Sequence, residues 1–211
     1  ELSNGPQKLS ATGDYLLYVG TYRGVVMAKV ESADKTSGKP DYVDEATGQA
    51  KDLGDAVYWA DGVIEDVGGK AFLNINILST IAHFKTEELL AEQDVATPAQ
   101  EALVLSNNSA VAQAFGVEEM HVKDIQTTVD QDGKVAQGNA YGQALAVFSA
   151  IDLENSLKPE TQIGQDVQLS IEQLVNQVYV QDGVAKLGQE VLQTVEQALE
   201  KPAVGSESAA L

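Results

Sequence analysis

The spacing of apolar and polar positions changes period about a third of the way along the chain. Up to Ile77 the apolar residues fall in short runs bounded by glycines and turn residues, the pattern of half-buried strands. Asp14 to Gly20, Gly24 to Val30, Asp55 to Ile64 and Lys70 to Ile77 are four such runs, and Asp66-Val67-Gly68-Gly69 supplies a turn between the last two. Together they predict a small antiparallel sheet over residues 14–77. Beyond it the spacing becomes helical. Leu78, Ile81, Ala82, Leu89 and Leu90 suit a helix beginning near Ser79. Thr97-Pro98-Ala99-Gln100-Glu101 carries a helix-start signature, and Ser106 to Phe115 reads as a second short helix stopped by Gly116. Residues 117–138 are polar and turn-rich. Asn139 to Leu153, Asp166 to Val180 and Val184 to Leu199 then read as amphipathic helices. The expected class is α+β: a small antiparallel sheet in the N-terminal third, packed with a C-terminal helical bundle. Asn74 to Leu78 runs without linker chemistry from the last strand into the first helix. One domain is therefore expected over residues 1–204, β-rich over 14–77 and helical over 78–200, with a disordered tail over 205–211.

Charge narrows the range of partners. The 211 residues carry 32 acidic against 13 basic side chains, a formal net charge of -19. Such a surface repels phosphate backbones and anionic membranes, which argues against nucleic acid, and it attracts cations such as Ca2+. Cysteine is absent, which removes disulfides, thiolate nucleophiles and Cys-ligated metal centres. No apolar run reaches membrane-spanning length, so no membrane insertion is expected. The opening Glu1-Leu2-Ser3-Asn4-Gly5-Pro6 reads as part of a longer chain.

Few residues offer distinctive chemistry. Arg23 is the only arginine, set in Gly20-Thr21-Tyr22-Arg23-Gly24. Its planar fork can clamp a carboxylate bidentately, and a structural ion pair with a neighbouring acid is the other reading. Asp41-Tyr42-Val43-Asp44-Glu45 gathers three hard oxygen ligands beside a turn, either for Ca2+ or as a solvated acidic loop. Asp130-Gln131-Asp132-Gly133 opens like a calcium loop, but the twelfth position is Tyr141, so a turn is the better reading. His83 and His121 lack metal-ligand spacing, and neither a Gly-x-Ser-x-Gly elbow nor a P-loop is present. An enzyme is not expected.

Several of these segments follow one another in a familiar order: Gly20-Thr21-Tyr22-Arg23-Gly24-Val25-Val26, Pro40 to Thr47, Asn74 to Ala82, Ala110 to Gly116 and Tyr141 to Ala146. Over residues 12–155 the ensemble resembles the peptide-binding modules of large bacterial repeats-in-toxin (RTX) adhesins. That resemblance implies an extracellular module on the bacterial cell surface, monomeric within a longer chain and serving adhesion and biofilm formation. It implies calcium-dependent binding of a peptide or protein C-terminus on a host or neighbouring cell. Carried onto this chain, Tyr22, Arg23 and Tyr42 become ligand-contacting residues, and Asp41, Asp44 and Glu45 become calcium ligands. Two other readings stay open: a calcium-rigidified spacer domain, and a carbohydrate-binding module using Trp59 and the tyrosines.

Overall fold

The computed structural model describes residues 7–10, 13–36, 38–44, 48–92, 97–129, 134, 136–156, 174–181, 183–189 and 192–193. The class is α+β, as the change of period predicts. In chain order the elements are β1 (Gly24–Glu31), β2 (Tyr42–Val43), β3 (Ala50–Lys51), β4 (Val57–Ile64), α1 (Ile77–Glu92), α2 (Thr97–Ala114), α3 (Ala140–Ser156), β5 (Val178–Gln181) and β6 (Val184–Leu187). Among the described residues the strands form three separate antiparallel pairs, β1–β4, β2–β3 and β5–β6. None of the described helices is long and apolar enough to cross a membrane.

The β1–β4 pair runs in register from Gly24 opposite Ile64 to Glu31 opposite Val57. One of its faces is shut by small side chains, with Ala28, Ala60 and Ile64 buried. Leu73 presses directly onto Gly62, where a side chain would collide with it. The far edge of β4 is closed by helix side chains in place of a strand. Trp59 N–H donates to Thr80 Oγ1 at 2.8 Å, and Ser79 Oγ donates to Trp59 O at 2.7 Å. Asn108 Nδ2 donates to Asp61 O at 2.9 Å.

Asn76 launches α1. Its Oδ1 accepts from Leu78 N–H at 2.9 Å and Ser79 N–H at 3.3 Å, an N-cap that satisfies donors at the first turn. Its Nδ2 donates to Tyr141 Oη at 3.0 Å, and Tyr141 Oη donates to Met120 O at 2.8 Å. The cap thus fastens α1 to α3 and to the segment before it. Burial pushes the Tyr141 phenol up to about 12, so the hydroxyl keeps its proton at any physiological pH. Around this point Leu78, Ile81, Ala82, Val111, Ala112, Tyr141, Phe148 and Val178 form the main core.

Several sequence expectations change. Asp14 to Val19 forms no strand; it has no regular structure and is anchored by Tyr15 Oη donating to Leu73 O at 2.7 Å, with Leu16 and Tyr18 exposed. Lys70 to Asn76 forms no strand either, because the β4 edge it would join is taken by Ser79, Thr80 and Asn108, and the Asn76 cap starts a helix at Ile77. The single sheet over 14–77 is accordingly two separate pairs. The helix start at Thr97 and the helix over Ser106 to Phe115 are one helix, α2, which ends just before Gly116 at φ +71°. At the C-terminal end, Val178 to Leu187 is a hairpin rather than parts of two helices. Its side chains alternate, with Val178 buried, Tyr179 exposed and Val184 exposed. The described residues show helices α1, α2 and α3 but do not confirm the expected helical bundle. Of the rest of the two expected helices, Leu174 to Asn176, Gln189, Leu192 and Gln193 are helical, and the other residues apart from Gln177 and Gly188, like Asp130 to Gly133, lie outside the described residues.

Replacing Thr80 by Val removes the acceptor for Trp59 N–H while keeping the side-chain shape. Leaving that group unpaired at a buried edge costs ~1–3 kcal/mol. In urea denaturation, Thr80→Val is expected to unfold at clearly lower denaturant, while Thr80→Ser keeps most of the stability.

Candidate functional site

Two groups of predicted residues occupy different places. Tyr22 and Arg23 stand at the start of β1. Arg23 Nε donates to Glu65 O at 2.6 Å, which fixes the plane of the guanidinium. An η nitrogen lies 3.9 Å from Glu101 Oε2, an ion pair too long for a hydrogen bond, and the Arg23 side chain remains 59% exposed. Tyr22 Oη donates to Val25 O at 2.8 Å. Gly24 between them has φ +124°, and a β-carbon there would sit 3.2 Å from Tyr22 Oη and 3.6 Å from Glu101 Oε1. Only glycine suits both that dihedral and that closeness. The arrangement is an oriented, solvent-facing arginine with an aromatic neighbour, held between the end of β4 and the first turns of α2.

Asp41, Tyr42 and Asp44 lie on the β2–β3 hairpin, where Tyr42 is half-buried and pairs with Lys51. Asp41 N–H donates to Lys51 O at 2.8 Å, and its Oδ2 accepts from Leu53 N–H at 3.3 Å. Asp44 is only 2% exposed, and its Oδ2 lies 3.1 Å from Lys51 Nζ. As seated, these carboxylates bond within the hairpin, with the Lys51 ammonium as the counter-ion of Asp44. Glu45 lies outside the described residues. Among the described residues, no three His, Asp or Glu side chains come together in a way that could hold a metal.

A third group was not legible as a site. Asp61, at the centre of the otherwise apolar β4, is 5% exposed and paired with His83, itself 3% exposed. His83 Nδ1 lies 3.0 and 2.9 Å from the two Asp61 oxygens, and its ring stacks on Trp59 at 4.9 Å with 12° between planes. Its other nitrogen faces Glu87 Oε2 at 3.8 Å, so what resembles half of an acid–base pair is turned toward another carboxylate. Lys29 Nζ sits 5.8 Å from the centre of the Trp59 ring. That ring is committed to internal contacts, which weakens it as a sugar platform. His121 completes the cluster. Asn74 N–H can only donate, so His121 Nδ1 accepts at 3.2 Å, and Nε2 carries the proton and donates to Asp61 O at 2.8 Å. The one signal for this cluster is Asp61 itself, since a carboxylate inside a buried strand requires a partner. A shallow cleft of about 330 Å³ between α1 and β5, lined by Lys85, Glu88, Leu89, Val178, Tyr179 and Val180, includes none of these groups.

Burial holds the His121 imidazole below its ordinary value, against smaller opposing effects of Asp61. The unfolded chain then takes up a proton first as pH falls through about 6.5. The stabilisation by neutral His121 is complete above that pH and is lost as pH drops toward the folded value. Urea denaturation between about pH 7.5 and about pH 5 is expected to show stability falling with acidification. His121→Gln, which can still accept from Asn74 and donate to Asp61, is expected to flatten that fall; an unchanged slope would exclude His121 as its source.

Comparison with protein-family models, with curated proteins and with solved structures finds no match, so the geometry of these groups is the basis for any assignment.

Proposed function

We propose that the chain is a non-catalytic binding module of a bacterial surface adhesin, and that it captures the free carboxylate of a peptide or protein C-terminus at Arg23. The observation that carries this reading is the state of that guanidinium. One nitrogen is tied to Glu65 O at 2.6 Å, the plane is thereby set, and the η nitrogens face solvent with Glu101 at a loose 3.9 Å. A preset fork loses little freedom when a carboxylate docks on it. It is also the only arginine on a surface of net charge -19, which would otherwise repel an anionic group. The order of the motifs around it, with its resemblance to adhesin peptide-binding modules, supplies the biological setting.

Calcium enters this proposal through that resemblance, the acidity of the chain and the carboxylates of residues 41–45. Asp41 and Asp44 serve the β2–β3 hairpin, and an ion there would require Lys51 to leave Asp44. No step of the capture is assigned to the ion. The spacer reading makes the opposite claim about ligands, since it requires none.

Calorimetric titration with peptides bearing free C-termini, against the same peptides amidated, separates the readings. Free termini are expected to bind and amidated ones to fail. Arg23→Ala is expected to weaken binding about ten- to a hundredfold, the ~1.5–3 kcal/mol of hydrogen bonds to a charged group, while unfolding stays close to the parent. Repeating the titration in chelator reads the calcium contribution directly. Equal affinity for free and amidated peptides would sink the carboxylate reading. No binding to either, with melting raised by calcium, would establish the spacer.

A further inference from the structure

His83 has one ring nitrogen to spare. Its Nδ1 lies 3.0 and 2.9 Å from the two Asp61 oxygens. A carboxylate only accepts, so Nδ1–H donates and Nε2 presents a lone pair. That lone pair faces Glu87 Oε2 at 3.8 Å, one turn further along α1. Both atoms are acceptors, and the gap is too long for a hydrogen bond. Among the described residues no hydrogen bond reaches Nε2, although His83 is only 3% exposed. Nε2 itself is not sealed, since no fully enclosed side-chain nitrogen of the described residues lacks a partner. Asp61 adds a second argument. It is 5% exposed, and its ion pair among the described residues is with His83 alone, so a neutral imidazole leaves its charge uncompensated. His121, by contrast, spends both nitrogens, on Asn74 N–H and Asp61 O. A buried lone pair aimed at a carboxylate, with another carboxylate behind the ring, calls for a cation between them.

We propose that His83 Nε2 and Glu87 hold a divalent transition-metal cation of the Zn2+ class, with Asp61 orienting the imidazole from behind. The spacing suits such an ion. Zinc bonds imidazole nitrogen and carboxylate oxygen at ~2.0–2.2 Å, which sets the two ligand atoms ~3.3 Å apart in a tetrahedral site. The Glu87 side chain is 60% exposed and free to close the remaining gap. The Nδ1–H bond to Asp61 is the support that a metal-bound imidazole takes, because it fixes the tautomer and raises the basicity of the ligating nitrogen. The Trp59 ring, stacked at 4.9 Å, restrains the same plane. An imidazole ligand favours Zn2+, Ni2+ or Cu2+ over Ca2+ and Mg2+, which take oxygen. This site is therefore separate from the calcium reading of residues 41–45 and from Arg23. Two protein ligands leave the other positions to water, so the ion is exchangeable. Spacing rules built on paired histidines pass over it, because the partner one turn on is a glutamate and the orienting carboxylate lies 22 residues away.

The only tryptophan of the chain is the one stacked on His83, so an ion at that ring is read directly. Ni2+ quenches the fluorescence of a neighbouring indole, and Zn2+ does not. The full chain is titrated with Ni2+ in excess Mg2+, which occupies the general acidic surface of net charge -19, and then with Zn2+. Ni2+ is expected to quench Trp59, and Zn2+ to restore the signal by displacement. Glu87→Gln is expected to melt close to wild type and to need about tenfold or more Ni2+ for half-quenching. Glu87→His, which sets two imidazoles one turn apart, is expected to need about tenfold less. If Glu87→Gln loses stability, Glu87→His carries the test. Equal midpoints in the wild-type chain and both variants would place the ion elsewhere and overturn the site. No quenching at millimolar Ni2+ would leave Asp61, His83 and Glu87 joined by a proton alone, and would overturn it as well.

Discussion

The fold depends on how strand β4 satisfies its backbone on the side away from β1. A two-stranded ribbon alone is marginal in water, and among the described residues no third strand completes it. Instead α1 and α2 send Ser79, Thr80 and Asn108 to the Trp59 and Asp61 peptide groups, with His121 joining at Asp61 O. These bonds fix the position of α1 along β4, and the Asn76 cap then ties α1 to Tyr141 and the rest of the core. Trp59 O and Asp61 O each accept from two of these side chains, whereas Trp59 N–H depends on Thr80 Oγ1, and leaving it without a partner is more costly than losing an ordinary surface hydrogen bond.

This arrangement also explains why part of the architecture was readable and part was not. Local pattern identified β1, β4, the helical start near Ser79 and the stop at Gly116, because each is set by its own residues. The strand expected over Lys70 to Ile77 failed because nothing local reveals that the β4 edge is occupied. The division of α2 came from Ser106-Asn107-Asn108-Ser109, a polar interruption of the apolar pattern. Asn107 and Asn108 are in fact buried, serving Thr86 Oγ1 and Asp61 O. The run from Leu174 to Val180 divides: Leu174 to Asn176 is helical, and Val178 onward is a strand through its pairing with Val184 to Leu187.

The candidate site shows the same division. Arg23 was visible as a solitary arginine beside glycines, and the structure orients it without burying it. The acidic cluster was visible by composition, but its described members turn out to stabilise a hairpin, with Lys51 as the counter-ion of Asp44. Asp61, His83 and His121 are 22 and 60 residues apart from one another's attachment points on β4, a separation that no spacing rule connects. Their burial, the Trp59 stack and the Asn74 contact make them a brace behind the ribbon, which leaves the opposite edge of β1 as its open side.

Residue-resolved amide hydrogen exchange on the free chain tests this asymmetry most directly. With the β4 edge sealed by helix side chains and the β1 edge open, Trp59 N–H is expected to exchange as slowly as the amides of the β1–β4 ladder. The amides of Met27 and Lys29 are expected to exchange far faster. Rapid exchange at Trp59, or equal protection at Met27 and Lys29, would contradict the account.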